Sequence, residues 1–222
     1  AVVQAGTGTL VLNGANLYTG ATTAAAGTLR LDLATGSLSS SSPLSMTGGR
    51  FEIRGNGSGT STQTLGAMTM AARTNSVIAV DPNNGTSTTL TLGDAWTRNV
   101  GSSLLIDYSS GNTGTREVVT AGATTGYALT NGIYGGILVR DATGVAGFAT
   151  RAGGANQAIS RYDDTTGSTL GTASDTGTTN FTTLNSVYSA GTLDWTAGGA
   201  LTNRAVNSLT IDTTNSGGTI DM

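Results

Sequence analysis

The chain contains no cysteine and no histidine, and all ten of its basic residues are arginine, so lysine is absent as well. The missing imidazole and thiol remove the usual general base at neutral pH, the common transition-metal ligands and the thiolate nucleophile together. A disulfide framework is excluded too, which leaves open both the cytosol and an exported protein that avoids disulfides. Only 10% of residues are charged, the net charge is −3, and proline occurs only as Pro43 and Pro82. A mildly acidic chain lacks the clustered positive charge that supplies most non-specific affinity for nucleic acid. No apolar run approaches the ~20 residues that span a bilayer, so no membrane-spanning helix is expected. A signal-peptide pattern is absent, and the expectation is a chain that starts after any export signal or is cut from something longer. No helical period is found either, the run Ala24-Ala25-Ala26 being too short to nucleate a helix.

Glycine (34 residues) and the still more frequent threonine dominate what remains. Such a composition suggests disorder when apolar residues are scattered. Here the 37% hydrophobic fraction is gathered into short alternating runs. Tetrads built mostly as Thr/Ser-apolar-x-apolar recur at Thr9 to Leu12, Thr28 to Leu31, Arg50 to Ile53, Thr89 to Leu92, Ser103 to Ile106, Thr192 to Trp195, Ser208 to Ile211 and Thr219 to Met222. Apolar residues at i and i+2 share one face of a strand. This places Leu10, Leu12, Leu29, Leu31, Phe51, Ile53, Leu90, Leu92, Leu104, Ile106, Leu193, Leu209 and Ile211 in core stacks. The alternate positions, among them Val11, Arg30, Glu52, Thr91 and Leu105, face mostly solvent. Asn13-Gly14, Asn56-Gly57, Asn83-Asn84-Gly85 and similar pairs punctuate the runs, since both residue types tolerate the positive φ of a sharp bend.

Two of the runs are near copies. Gly8-Thr9-Leu10-Val11-Leu12 returns as Gly27-Thr28-Leu29-Arg30-Leu31, with the leucines 19 residues apart. Asn-Gly turns alone are equally compatible with antiparallel hairpins, but hairpins give no reason to repeat a pentapeptide at this distance, whereas a coil that stacks like on like does. The reading is an all-β solenoid over residues 1–222 with circuits of ~20 residues and two or three strands each. Threonine suits its extended backbone, and stacked hydroxyls are expected to exchange hydrogen bonds between circuits. A lone circuit cannot cover its own lining, so stability is collective. The strand pattern runs to both ends without a recognisable cap, and exposed strand edges invite another chain. Either neighbouring solenoid segments or identical subunits stacked end to end are therefore expected as partners. From 122 to 189 the tetrads loosen and aromatics gather, which marks an irregular excursion.

Residues 6 to 31, GTGTLVLNGANLYTGATTAAAGTLRL, resemble the autotransporter-associated β-strand repeat, also called the passenger-associated transport repeat: a Gly-Thr-Leu-x-Leu strand, a Gly-Ala-Asn-x-Tyr-Thr-Gly bridge and a second Gly-Thr-Leu strand. The resemblance implies a right-handed parallel β-helix, export to the bacterial surface or the extracellular space, and a non-catalytic stalk, adhesin body or fibre. No membrane-embedded barrel lies within these residues, so self-export is not implied for them.

Candidates for chemistry are few. Asp163-Asp164 is the best acid/base pair by analogy with clustered carboxylates, yet adjacent strand residues point to opposite faces, and a solvated turn is the stronger reading. The calcium-binding Gly-Gly-x-Gly-x-Asp repeat is absent; no catalytic residue, metal or cofactor is expected. Arg140, Arg151 and Arg161 with Tyr162 form the candidate contact for surface glycans, set against the alternative that these arginines pair with nearby aspartates. A carbohydrate-binding or polysaccharide-processing β-helix is thus the rival function.

Overall fold

The computed structural model describes residues 1–122, 127–130 and 132–162, together with the strand backbones at 180–183, 192–194, 208–211 and 219–221. The chain divides into two compact units, Ala1–Tyr162 and Asp163–Met222.

The first unit winds as a coil with three strands per circuit. The first circuit comprises β1 (Val2–Gln4), β2 (Thr9–Leu12) and β3 (Ala15–Asn16); the second β4 (Thr22–Ala24), β5 (Thr28–Asp32) and β6 (Ser37–Leu38). The third adds β7 (Leu44–Met46), β8 (Arg50–Arg54) and β9 (Thr60–Leu65); the fourth β10 (Met68–Met70), β11 (Asn75–Asp81) and β12 (Ser87–Leu92); the fifth β13 (Trp96–Arg98), β14 (Ser103–Asp107) and β15 (Thr115–Thr120). Through these circuits each strand pairs in parallel with the strand three elements later, except that β6 and β9 share no ladder. One face is β1-β4-β7-β10-β13, a second starts β2-β5-β8-β11-β14, and the third comprises the pair β3-β6 and the run β9-β12-β15. Leu10 and Leu29 are register partners, as the repeated pentapeptide requires.

Inward residues form columns. Leu29, Phe51, Ile78, Ile106 and Val139 are successive register partners, and all five are fully buried. Leu12, Leu31, Ile53, Leu90, Leu92 and Leu104 are buried in the same cluster. At about 1.5–3 kcal/mol for each large aliphatic side chain, these columns are the main force closing the coil. Leu10 stands in the first column and is 36% exposed. Gly27 explains the glycine of the motif. A Cβ there would meet the Gly8 carbonyl oxygen at 2.3 Å and that of Gly6 at 2.5 Å, at a φ of +53°, so stacked corners approach too closely for any side chain.

Three expectations change. Circuits are not uniform: Leu10 to Leu29 spans 19 residues, Leu29 to Phe51 22, Phe51 to Ile78 27 and Ile78 to Ile106 28. Much of the growth lies in the third face, whose strands lengthen from 2 residues in β3 and β6 to 6 in β9, β12 and β15. Hydroxyl stacking is partial. Thr22 bonds Ser42 and Ser87 bonds Thr60, but Thr62 and Thr64 stand in register with Thr89 and Thr91 with no hydroxyl bond between them. Lastly, the coil of this unit does not end bare. β16 (Tyr134–Arg140) pairs in parallel with β14, and then β17 (Ala146–Arg151) and β18 (Gln157–Arg161) run antiparallel, β18 returning to the outer edge of β15. The second face and the β9-β12-β15 run of the third thereby join into one 11-stranded sheet.

In the second unit β19 (Asn180–Thr183) pairs in parallel with β21 (Ser208–Ile211), and β20 (Thr192–Asp194) with β22 (Thr219–Asp221). The partners lie 28 and 27 residues apart, the period of the later circuits in the first unit. Leu193, Leu209 and Ile211 sit on these strands; the surroundings of their side chains lie outside the described residues, as do Asp163 and Asp164 altogether.

Candidate functional site

The four candidate glycan-contact residues lie at strand ends of the β16–β18 meander. Ala149 and Ile159 are buried, and they are the register partners of Arg161 and Arg151. Partners across a ladder point to the same side, so both arginines lie on the core-facing side of the meander. Arg140 pairs with Ala146 and lies on the opposite side, with Leu138 and Phe148. The Arg161 Nε donates to Asp141 Oδ2 at 2.9 Å, and Arg151 Nη1 donates to Thr120 Oγ1 at 3.0 Å and to the carbonyls of Gly122 and Gly154. Tyr162 is tied through its backbone N–H to the Phe148 carbonyl. The four residues therefore do not converge on one surface, and two of them are engaged by the chain itself.

Asp141 is the hub of the β16–β17 turn. Burial acts to raise its pKa, but bonds from the Thr143 hydroxyl, the Arg161 guanidinium and the N–H groups of Val145 and Thr143 outweigh this and hold the carboxyl below its ordinary value.

Charge gathers on the outer surface of the second face. Arg30 Nε lies 2.8 Å from Glu52, Arg50 reaches Glu52 at 3.5 Å and Asp107 at 3.3 Å, and Arg54 lies between Asp32 and Asp81. Register explains the ladder: Arg30 partners Glu52, and Asp32 partners Arg54, which partners Asp81. The outer surface of β9 and β12 instead carries Thr60, Thr62, Thr64, Ser87, Thr89 and Thr91, without charge.

Two buried polar groups escaped the reading of the sequence. Gln63 is 6% exposed, and its carboxamide accepts from the Leu38 N–H and donates to the Leu38 carbonyl, standing in for a ladder strand where β6 is short. Tyr108 continues the inward alternation of Leu104 and Ile106, a signal the sequence does contain. Its hydroxyl donates to the Ile159 carbonyl at 2.8 Å and accepts from the Val118 N–H at 3.0 Å; burial pushes its pKa well above that of a free tyrosine. Trp96 packs tilted against Tyr134 at a centroid spacing of 6.0 Å, Tyr127 stacks on Tyr134 at 6.1 Å, and the Arg98 guanidinium lies over Tyr127. Among the described residues no three carboxylates come together as a metal site.

The stacked parallel strands and the continuous apolar lining define an all-β coil of solenoid type. Residues 2–31 match the passenger-associated-transport-repeat family, a repeat associated with autotransporter passenger segments; it occupies the first circuit and the first two strands of the second. No curated protein and no solved structure matches the chain.

Proposed function

We propose that this chain is a non-catalytic structural segment of a bacterial surface passenger, wound as a right-handed parallel β-helix and serving as stalk or adhesin body. The observation that carries the reading is the junction of the matched repeat with the third circuit: β5, whose first four residues fall within residues 2–31, pairs over five residues with β8. The repeat is thus continuous with the coil that follows it and not an appended motif. Right-handedness follows from the general preference of parallel crossovers, about 98% of which are right-handed. The chemistry agrees, since a chain without histidine, cysteine or lysine lacks the side chains most active sites use. The neighbours this reading calls for are further coils of the same kind.

The test is surface exposure. Antibodies raised against residues 1–162 should label intact cells that produce the parent protein, and added protease should remove the label; staining only after lysis would refute a surface role. Glycan turnover by the full chain, abolished by Asp163→Asn with Asp164→Asn, would refute the non-catalytic assignment.

A further inference from the structure

We propose that β17 and β18 are an internal stop, which keeps the end of the first unit from pairing edge to edge, and that the hydroxyl of Tyr108 holds its weakest seam closed. A coil of parallel strands presents a row of unpaired N–H and C=O groups at its last circuit, and such an edge is a template for another strand. Here β17 takes the outer edge of β16 and β18 takes that of β15, so the second and third faces have no free edge left at this end.

The three seams are unequal. β16 and β17 share four register pairs, β17 and β18 three, and β18 and β15 only two, Val119 with Ala158 and Thr120 with Gln157. The next pair along this short seam would be Val118 with Ile159. In its place the Tyr108 hydroxyl sits between them, taking the Val118 N–H and giving its proton to the Ile159 carbonyl. One side chain from β14's end thus completes the ladder that joins stop to coil. The far end of the seam is held by the Asn156 N–H on the Thr120 carbonyl and by Arg151 on the Thr120 hydroxyl. Removing the Tyr108 oxygen leaves a buried donor and a buried acceptor unpaired in a site that excludes water, and frees the edge of β15.

The experiment uses the full 222-residue chain and the Tyr108→Phe variant, compared by amide hydrogen exchange and by light scattering across a concentration series. Exchange at 118–120 and 157–161 should speed by about ten- to a hundredfold, while Thr28–Asp32 and Arg50–Arg54 keep wild-type protection and the variant associates beyond the wild type as concentration rises. A second variant adds Val119→Cys and Ala158→Cys, directly paired across the seam and able to form a disulfide in a chain otherwise free of cysteine. Oxidation should suppress the association and reduction should restore it. Wild-type exchange at the seam, loss of protection throughout the coil, or association that persists with the disulfide closed would each overturn the proposal.

Discussion

Arg50 and Asp107 are joined across an intervening strand: the guanidinium Nη1 lies 3.3 Å from Oδ2, with Val77 and Ala79 of β11 holding the register positions between β8 and β14. Ala79 faces outward yet is only 3% exposed, because the long side chain bridges the gap that its small size leaves.

This contact makes stability sensitive to acid. Burial acts to raise the Asp107 pKa, but bonds from the Ser109 hydroxyl and N–H, together with Arg50, more than offset it, and the carboxyl titrates below its ordinary value. A depressed folded-state pKa stabilises the fold above the unfolded value of about 3.9, and that contribution is lost as pH falls through the folded value. Denaturant midpoints should therefore stay level between about pH 7 and 5 and fall below about pH 4. Asp107→Asn should lower the midpoint at neutral pH and make the acid limb shallower; an unchanged acid limb would rule this carboxylate out as a contributor.

The two motif glycines should respond differently to the same substitution. At Gly27 a methyl group meets backbone oxygen at positive φ, while at Gly8 it meets nothing within 4 Å. Gly27→Ala should cost about 2–3 kcal/mol and Gly8→Ala no more than about 0.5 kcal/mol, measured by urea unfolding. Equal costs would mean that the stacked corner at Gly27 is not as close as described.

Gln63 offers a test of a side chain acting as a strand. Replacing it with leucine keeps the volume but leaves the Leu38 N–H and carbonyl without their partner, each such buried loss costing about 1–3 kcal/mol. Gln63→Leu should lower the unfolding midpoint and speed exchange at the Leu38 amide; stabilisation by the added apolar group would show that water reaches β6.

Tyrosine titration isolates Tyr108. Burial raises its pKa, so its hydroxyl stays neutral in the folded protein when an ordinary tyrosine of pKa about 10 has ionised. Native absorbance near pH 11, roughly one unit above that value, should be unchanged by Tyr108→Phe, whereas the same change removes one tyrosinate from the denatured chain. By linkage the folded state loses stability as pH rises past about 10, since only the unfolded chain then releases this proton. A drop in native tyrosinate signal for the variant would show that the hydroxyl titrates while folded.

Much of the coil is legible from single residues. Leu29-x-Leu31, Phe51-x-Ile53 and Leu104-x-Ile106 announce strands and their inward sides because alternation is a local property of extended backbone. Gly8 and Gly27 announce which strands meet, since their corners must stack. The placement of the candidate arginines was not legible: Arg140 and Arg161 look alike in sequence, and the pairing of β16, β17 and β18 decides that one lies away from the core side and the other reaches Asp141. Tyr108 reads as one more inward residue, and nothing local marks its hydroxyl as the link to Ile159, 51 residues on.

Residue order alone determined the all-β character, the core-facing positions and the close approach of the first two circuits, through alternation, turn chemistry and a repeated pentapeptide that act over a few residues. Tertiary structure decided the lengthening of the circuits and the reversal at β16–β18. The same alternating pattern serves parallel and antiparallel ladders alike, so which edge a strand joins depends on what the rest of the coil has left unpaired.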